Sequence, residues 1–249
     1  MQTAVIIFFI AAFIYFLLRE FKHNKAEESF LSIVNHTFRS PLTRIKWQSD
    51  NLKPDLSYEA QAEIARNIST TVNHVLEIID TLSGIKDVHN SASYDLKAVS
   101  IREFIEIGMG KYRTTVTEKK LTFNLPAFND MPLLTVDTKK ISFVIEALLS
   151  NAIFYSHEGG AIDIRCIVKK GKLVLSIEDH GIGLSWRDKN NLYQRFYRGR
   201  RGLKMNTDGM GLSLYLSKEI IRRHHGIISF HSKGREHGST FSITLPVRK

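Results

Sequence analysis

Asp179-His180-Gly181-Ile182-Gly183 stands where a strand-like run ends, and Gly209-Met210-Gly211-Leu212 stands where a helical run begins. These two glycine pairs restrict the fold of the C-terminal half more than any other feature. Glycine lets a backbone come close to a flat group. Free N–H groups and the dipole at a helix start favour a phosphate. A carboxylate at the strand end can accept a hydrogen bond from an exocyclic amine such as adenine N6. Either pair alone is also what a tight turn or a loop-to-helix junction looks like. Well upstream, Asn35-His36-Thr37-Phe38-Arg39-Ser40-Pro41-Leu42 places a histidine on an amphipathic stretch.

Residues 1–18 carry no charge and are mostly Ile, Phe, Ala, Leu and Val, with Arg19, Lys22 and Lys25 directly after. Eighteen helical residues span ~27 Å, near the lower limit for crossing a bilayer. A cleaved signal would place its basic residues first. The order here predicts a retained single-pass anchor (1–18) and a juxtamembrane linker (19–27), with the remainder cytoplasmic under the positive-inside rule. The single cysteine, Cys166, forbids an internal disulfide and fits a reducing compartment. The net charge of +10 is partly juxtamembrane, where it can meet anionic lipid. Residues 187–204 add seven Lys or Arg against one Asp. Neither cluster interleaves aromatics in a nucleic-acid-binding pattern, so no nucleic-acid partner is expected.

Phe30, Ile33, Val34, Phe38, Leu42 and Ile45 recur at helical steps, with Pro41 inside the run to bend it. Ser57 is a candidate N-cap for a second helix, whose seam is Ile64, Ile68, Val72, Val75, Ile79 and Leu82. Two such helices form a hairpin (28–85) that cannot cover its own apolar face. A dimeric four-helix bundle is the expected solution, and a contact with the rest of the chain is the other. Residues 86–97 read as a polar linker. Beyond it, 98–249 alternates: helix over 101–118, extended 121–125, helix 138–155, and strands 161–168 and 172–178 joined by Lys169-Lys170-Gly171. A helix over 212–225 is ended by Gly226, and strands 227–231 and 239–246 follow. Antiparallel strands with helices on one face make an α+β sandwich. His224 and His225, at a helix end, read as capping charges.

Taken in order, Asn151-Ala152 with Tyr155-Ser156, Asp179-x-Gly-x-Gly, Gln194-Arg195-Phe196-Tyr197-Arg198, Gly209-x-Gly-Leu212 and Gly238-Ser239-Thr240-Phe241 with Leu245-Pro246 resemble the boxes of the sensor histidine kinases of two-component signalling. The resemblance covers roughly residues 26–247. It implies a HisKA-type phosphoacceptor hairpin and a Bergerat/GHKL ATP-binding sandwich. It also implies autophosphorylation of His36 from Mg-ATP, then transfer to an aspartate of a response regulator. The place is a bacterial inner membrane, and the assembly a homodimer. In that likeness Asn151 ligates Mg²⁺, Asp179 recognises adenine and Tyr155 lines the base pocket. Gly181, Gly183, Arg198, Gly209, Gly211, Leu212 and Thr240 complete the nucleotide site, and Phe196 anchors a lid over 184–208.

The chain also departs from the family. The residue after the histidine is normally Glu or Asp, which takes the imidazole proton, and here it is Thr37. Such a base is typically worth ~10²–10⁴ in rate. Ala147 replaces a polar residue one turn before Asn151, Phe154 stands where Lys is common, and Ser213 replaces a glycine. Ser40 stands where Thr or Asn positions a water for regulator dephosphorylation, and its hydroxyl can serve. The alternative expectation is an ATP-binding scaffold or a phosphatase-biased regulator partner.

Overall fold

The computed structural model describes residues 25–88, 94–128, 131–199, 201–202 and 210–247. The predicted anchor lies outside these residues. Among the described residues no helix is long and apolar enough to cross a membrane. The chain divides into two compact units, at Glu77 and Ile78. That division falls inside the second helix.

Helix α1 spans Lys25–Asp50 and α2 spans Tyr58–Asp87. Between them the Ser57 hydroxyl accepts the Ala60 N–H at 3.2 Å, as the N-cap reading expects. Pro41 does not end α1. It joins Val34, Phe38 and Ile45 in one buried stripe at alternating four- and three-residue steps. On α2 the buried positions are Thr71, Val75, Ile78 and Leu82, whereas Ile64, Ile68, Val72 and Ile79 of the expected seam are half-buried. Thr71 enters the apolar stripe because its hydroxyl donates to the Asn67 carbonyl at 2.8 Å. Leu76 stays half exposed, at 50%.

The second unit is an α+β sandwich. Strands β1 (Leu96–Val99) and β3 (Leu134–Asp137) form an antiparallel pair. The main sheet has the order β2-β4-β5-β7-β6, with β2 Thr122–Asn124, β4 Ala161–Lys169, β5 Lys172–Asp179, β6 Ile227–His231 and β7 Ser239–Pro246. β2 pairs parallel with β4, so the sheet is mixed, not wholly antiparallel as expected. Lys170 (φ 51°) and Gly171 (φ 69°) make the two-residue turn joining β4 to β5.

Helix α3 (Ile101–Lys111), the short α4 (Arg113–Glu118), α5 (Thr138–Tyr155) and α7 (Ser213–Arg223) accompany the sheet, with α6 (Trp186–Asn191) in the loop after β5. The expected helix over 101–118 is thus broken at Tyr112, whose ψ of 15° leaves the helical range. Alternation builds the core. Leu173, Leu175 and Ile177 of β5 and Phe241, Ile243 and Leu245 of β7 point inward, to a layer that includes Ile141, Ile145, Leu148 and Ile153 of α5. Each such side chain contributes about 1.5–3 kcal/mol by leaving water. The same alternation sets Asp179, the last residue of β5, on the inward side.

Candidate nucleotide site

Asp179 is 3% exposed. Its Oδ1 accepts the Gly181 N–H at 3.0 Å and its Oδ2 accepts the Ser239 hydroxyl at 2.6 Å. Burial raises its pKa, and the hydrogen bonds from Ser239 and Gly181 partly oppose that rise. The Ser239 backbone N–H also reaches the carboxylate, which leaves one of its four acceptor sites for a further donor and fits the exocyclic amine of a base.

Ser239 is a residue the sequence reading passed over in favour of Thr240. The register corrects this. Ser239 pairs with Asp179, whereas Thr240 pairs with Glu178 on one side and His231 on the other. Successive strand residues point to opposite faces, so Thr240 lies on the face away from Asp179.

The glycines after Asp179 have a demand closer to home than a ligand. A Cβ on Gly181 would fall 1.8 Å from the Tyr155 carbonyl oxygen. Gly183 has φ +60°, and a Cβ there would fall 2.0 Å from the Gly234 carbonyl. The Ile182 N–H donates to Tyr155 O at 3.1 Å and the Glu236 N–H to Ile182 O at 2.9 Å. The loop is therefore wedged between the end of α5 and the 232–238 turn, and this close packing holds Asp179 beside Tyr155. Ser232 braces the turn: its hydroxyl donates to Gly238 O at 2.7 Å and accepts the Leu184 N–H at 3.2 Å.

Asn151 and Tyr155 share one face of α5, four residues apart. Burial raises the Tyr155 pKa, with Arg198 opposing. An amide oxygen such as that of Asn151 suits an Mg²⁺ shell completed by phosphates and water. The end of α5 is tied by Lys119, whose Nζ donates to Ile153, Phe154 and Ser156 carbonyls at 2.8, 2.9 and 2.7 Å. Burial lowers the Lys119 pKa. No local signal announces this lysine, because its partners lie more than thirty residues away.

Gly211 (φ +70°) would place a Cβ 2.6 Å from Tyr197 O and 2.8 Å from the Phe196 carbonyl carbon. The segment bearing Phe196 and Arg198 therefore meets the start of α7. Phe196 is half-buried and itself has φ 63°. Leu212 is fully buried, so its place is in the core. Gly209 lies outside the described residues. In the expected lid, Ser185 and Asp188 cap α6 reciprocally, and Asp188 Oδ1 accepts the Tyr197 hydroxyl at 2.9 Å. Arg201 donates to Glu236 and, at 3.3 Å, to the Ile182 carbonyl.

His36, Thr37 and Ser40 lie on α1, with Thr37 half-buried and Ser40 exposed. The His36 side chain lies outside the described residues. The two departures on α5 serve packing: Ala147 is buried, and Phe154 meets the Tyr112 ring edge-on at 6.2 Å.

Residues 136–249 match the model of the histidine kinase-, DNA gyrase B-, and HSP90-like ATPase family. This part of the chain resembles that family's ATPase domain. The chain as a whole is similar to the sensor histidine kinase WalK of Bacillus subtilis, 28% identical over 96% of this chain and 40% of that protein. It spans 28% to 49% of the length of three curated relatives that it matches. Among solved structures it shares the fold of full-length ShkA in complex with AMPPNP, with a TM-score of 0.63, 17% identity, and 88% of this chain and 45% of that one covered. It also shares that of the histidine kinase ThkA in complex with the response regulator TrrA, with a TM-score of 0.60, 20% identity, and 88% and 61% covered.

Proposed function

We propose that this chain is a membrane-anchored, ATP-dependent protein-histidine kinase that phosphorylates His36 and passes the phosphoryl group to an aspartate of a response regulator. The observation that carries the reading is the buried Asp179 carboxylate, hydrogen-bonded by Ser239 and Gly181 beside Tyr155, in an ATPase domain downstream of a histidine-bearing helix. The likeness to ShkA with AMPPNP and to ThkA with TrrA supports the nucleotide and the partner.

Mg-ATP supplies the phosphoryl group. Asp179 would orient the base, Asn151 would join the magnesium shell, and Arg198 would meet the polyphosphate. His36 offers a neutral ring nitrogen as nucleophile; the N–P bond forms as the bond to the leaving ADP oxygen breaks, and the imidazole proton goes to solvent. Thr37 has no carboxylate to take that proton, so the step is slow. Residues 1–18 anchor the chain in a bacterial inner membrane with the catalytic body cytoplasmic, and the hairpin forms a homodimer. Protease added outside intact cells leaves the body of the protein uncut; cleavage there refutes the topology.

Ala147 and Phe154, committed to packing, favour a second reading, an ATP-binding scaffold or a phosphatase-biased partner of a regulator. Incubation with γ-labelled ATP separates the two. The kinase reading expects acid-labile phosphate on the parent, none on His36→Gln, and a rate raised tenfold or more in Thr37→Glu, within the ~10²–10⁴ of a general base. No labelling even of Thr37→Glu establishes the scaffold.

A further inference from the structure

His224 ends α7 and is buried. Its two ring nitrogens do opposite things. The Asp137 N–H donates to Nε2 at 3.0 Å, so Nε2 carries a lone pair. Nδ1 lies 2.8 Å from the Ile220 carbonyl oxygen, which can only accept, so Nδ1 carries the proton. The ring is therefore the neutral Nδ1–H tautomer, not the capping charge its sequence position suggests.

Around it, three segments meet. Asp137 N-caps α5, its Oδ1 accepting the Lys140 N–H at 3.0 Å, and its Oδ2 accepts the Asp95 N–H at 3.0 Å. The Tyr94 ring lies 5.3 Å from the His224 ring, with the Lys140 ammonium 4.6 Å over the Tyr94 face. The Tyr94 hydroxyl reaches back to the Val88 carbonyl at 3.4 Å, one residue beyond α2. The knot thus joins the chain arriving from α2 to the N-cap of α5 and the C-cap of α7. The far end of α5 bears Asn151 and Tyr155, and the near end of α7 follows Gly211.

We propose that His224 is a positioning residue for the nucleotide site: its neutral imidazole clamps α7 to α5, and its protonation opens the clamp and weakens nucleotide binding. This rests on the ATP-site reading above. A second ring proton would set Nε2–H against the Asp137 N–H, donor facing donor. The charged and titratable neighbours are Tyr94 from the arriving segment, Asp137 at the end of β3, Lys140 from α5, Glu219, Arg222 and Arg223 from α7, and His225 just after it. The Ile220 carbonyl, and after it the Asp137 carboxylate, favour a cation on the ring, and both Asp137 oxygens are already engaged. Burial, first, with Lys140 and His225 after it, holds the imidazole pKa below its ordinary value.

The test uses the full chain in lipid nanodiscs and N-methylanthraniloyl-ADP as probe. In His224→Gln the Gln oxygen can still accept the Asp137 N–H and cannot switch. Between pH 7.5 and 5.5 the parent is expected to lose at least twofold more probe affinity than His224→Gln. Parallel pH profiles overturn the proposal. A parent that binds no probe at pH 7.5 refutes the nucleotide reading and the positioning role with it. Should His224→Gln fail to fold, imidazole nitrogen shifts of the parent decide. A neutral Nδ1–H ring that becomes cationic in step with lost binding supports the clamp. A ring already cationic at pH 7.5, or titrating out of step with binding, overturns it.

Discussion

The helical hairpin and the α+β sandwich build their buried faces differently, although both leave large apolar side chains exposed. In the sandwich, strict alternation along β5 and β7 sends every second residue inward, and the inward residues are buried within the unit itself. On the hairpin, each helix buries one narrow stripe, while Trp47, Leu52, Tyr58 and Leu76 remain between 46% and 85% exposed. A strand has one inner face, and a sheet covered by helices closes it. A helix has no such binary choice, and a pair of helices leaves flanks uncovered. The sandwich thus closes a core of its own, whereas the proposed homodimer would cover part of what the hairpin leaves open.

The largest expected effect tests self-sufficiency of the sandwich. Ile177→Ala removes a fully buried side chain from the central strand and costs about 2–5 kcal/mol. Urea unfolding followed at two protein concentrations should show that loss unchanged by dilution. A loss that depends on concentration would erase the contrast with the hairpin.

Next comes the site at the edge of that core. Asp179→Asn replaces a charged acceptor by a neutral one, and hydrogen bonds to charged groups are worth about 1.5–3 kcal/mol. Adenine-nucleotide affinity measured by calorimetry should fall about ten- to a hundredfold. Ser239→Ala, which removes one neutral donor to that carboxylate, should cost about 1 kcal/mol. Thr240→Ala, on the opposite face, should leave affinity unchanged. Equal effects at positions 239 and 240 would refute the register argument.

For the hairpin, Leu76→Gln should leave the unfolding of the sandwich untouched and weaken self-association by about 1 kcal/mol, since only part of a leucine is gained by burial. Sedimentation of parent and variant at matched concentrations checks it. An unchanged dimer would move the contact elsewhere on α2.

The smallest effect lies in the loop after β5. Burial pushes the Asp188 carboxyl up, but hydrogen bonds from Ser185 and Tyr197 outweigh it and leave its pKa below the ordinary value. A depressed folded pKa stabilises above the unfolded value, about 3.9, and that contribution disappears as pH falls through the folded one. Asp188→Asn should therefore lose no more than about 1 kcal/mol near neutrality, because solvent screens the site, and match the parent in strong acid. Thermal melts across that range test the convergence.

Much of this architecture is written locally. Alternation marked β4, β5 and β7, the Lys170-Gly171 turn fixed their hairpin, Ser57 announced the start of α2, and α5 begins and ends at the residues its pattern names. Those features arise within a few residues, where period and turn chemistry suffice. The order of the boxes likewise pointed to an ATPase-like domain before any geometry. β1 and β3 escaped because four-residue strands paired only with each other leave no period to read. Only tertiary structure could decide that Ser239 and not Thr240 faces Asp179, that Lys119 ties the end of α5, and that His224 is a neutral clamp. Each depends on a partner 34 to 87 residues away. A side chain's hydrogen-bond partners, and hence its charge, are set by what the completed fold brings against it.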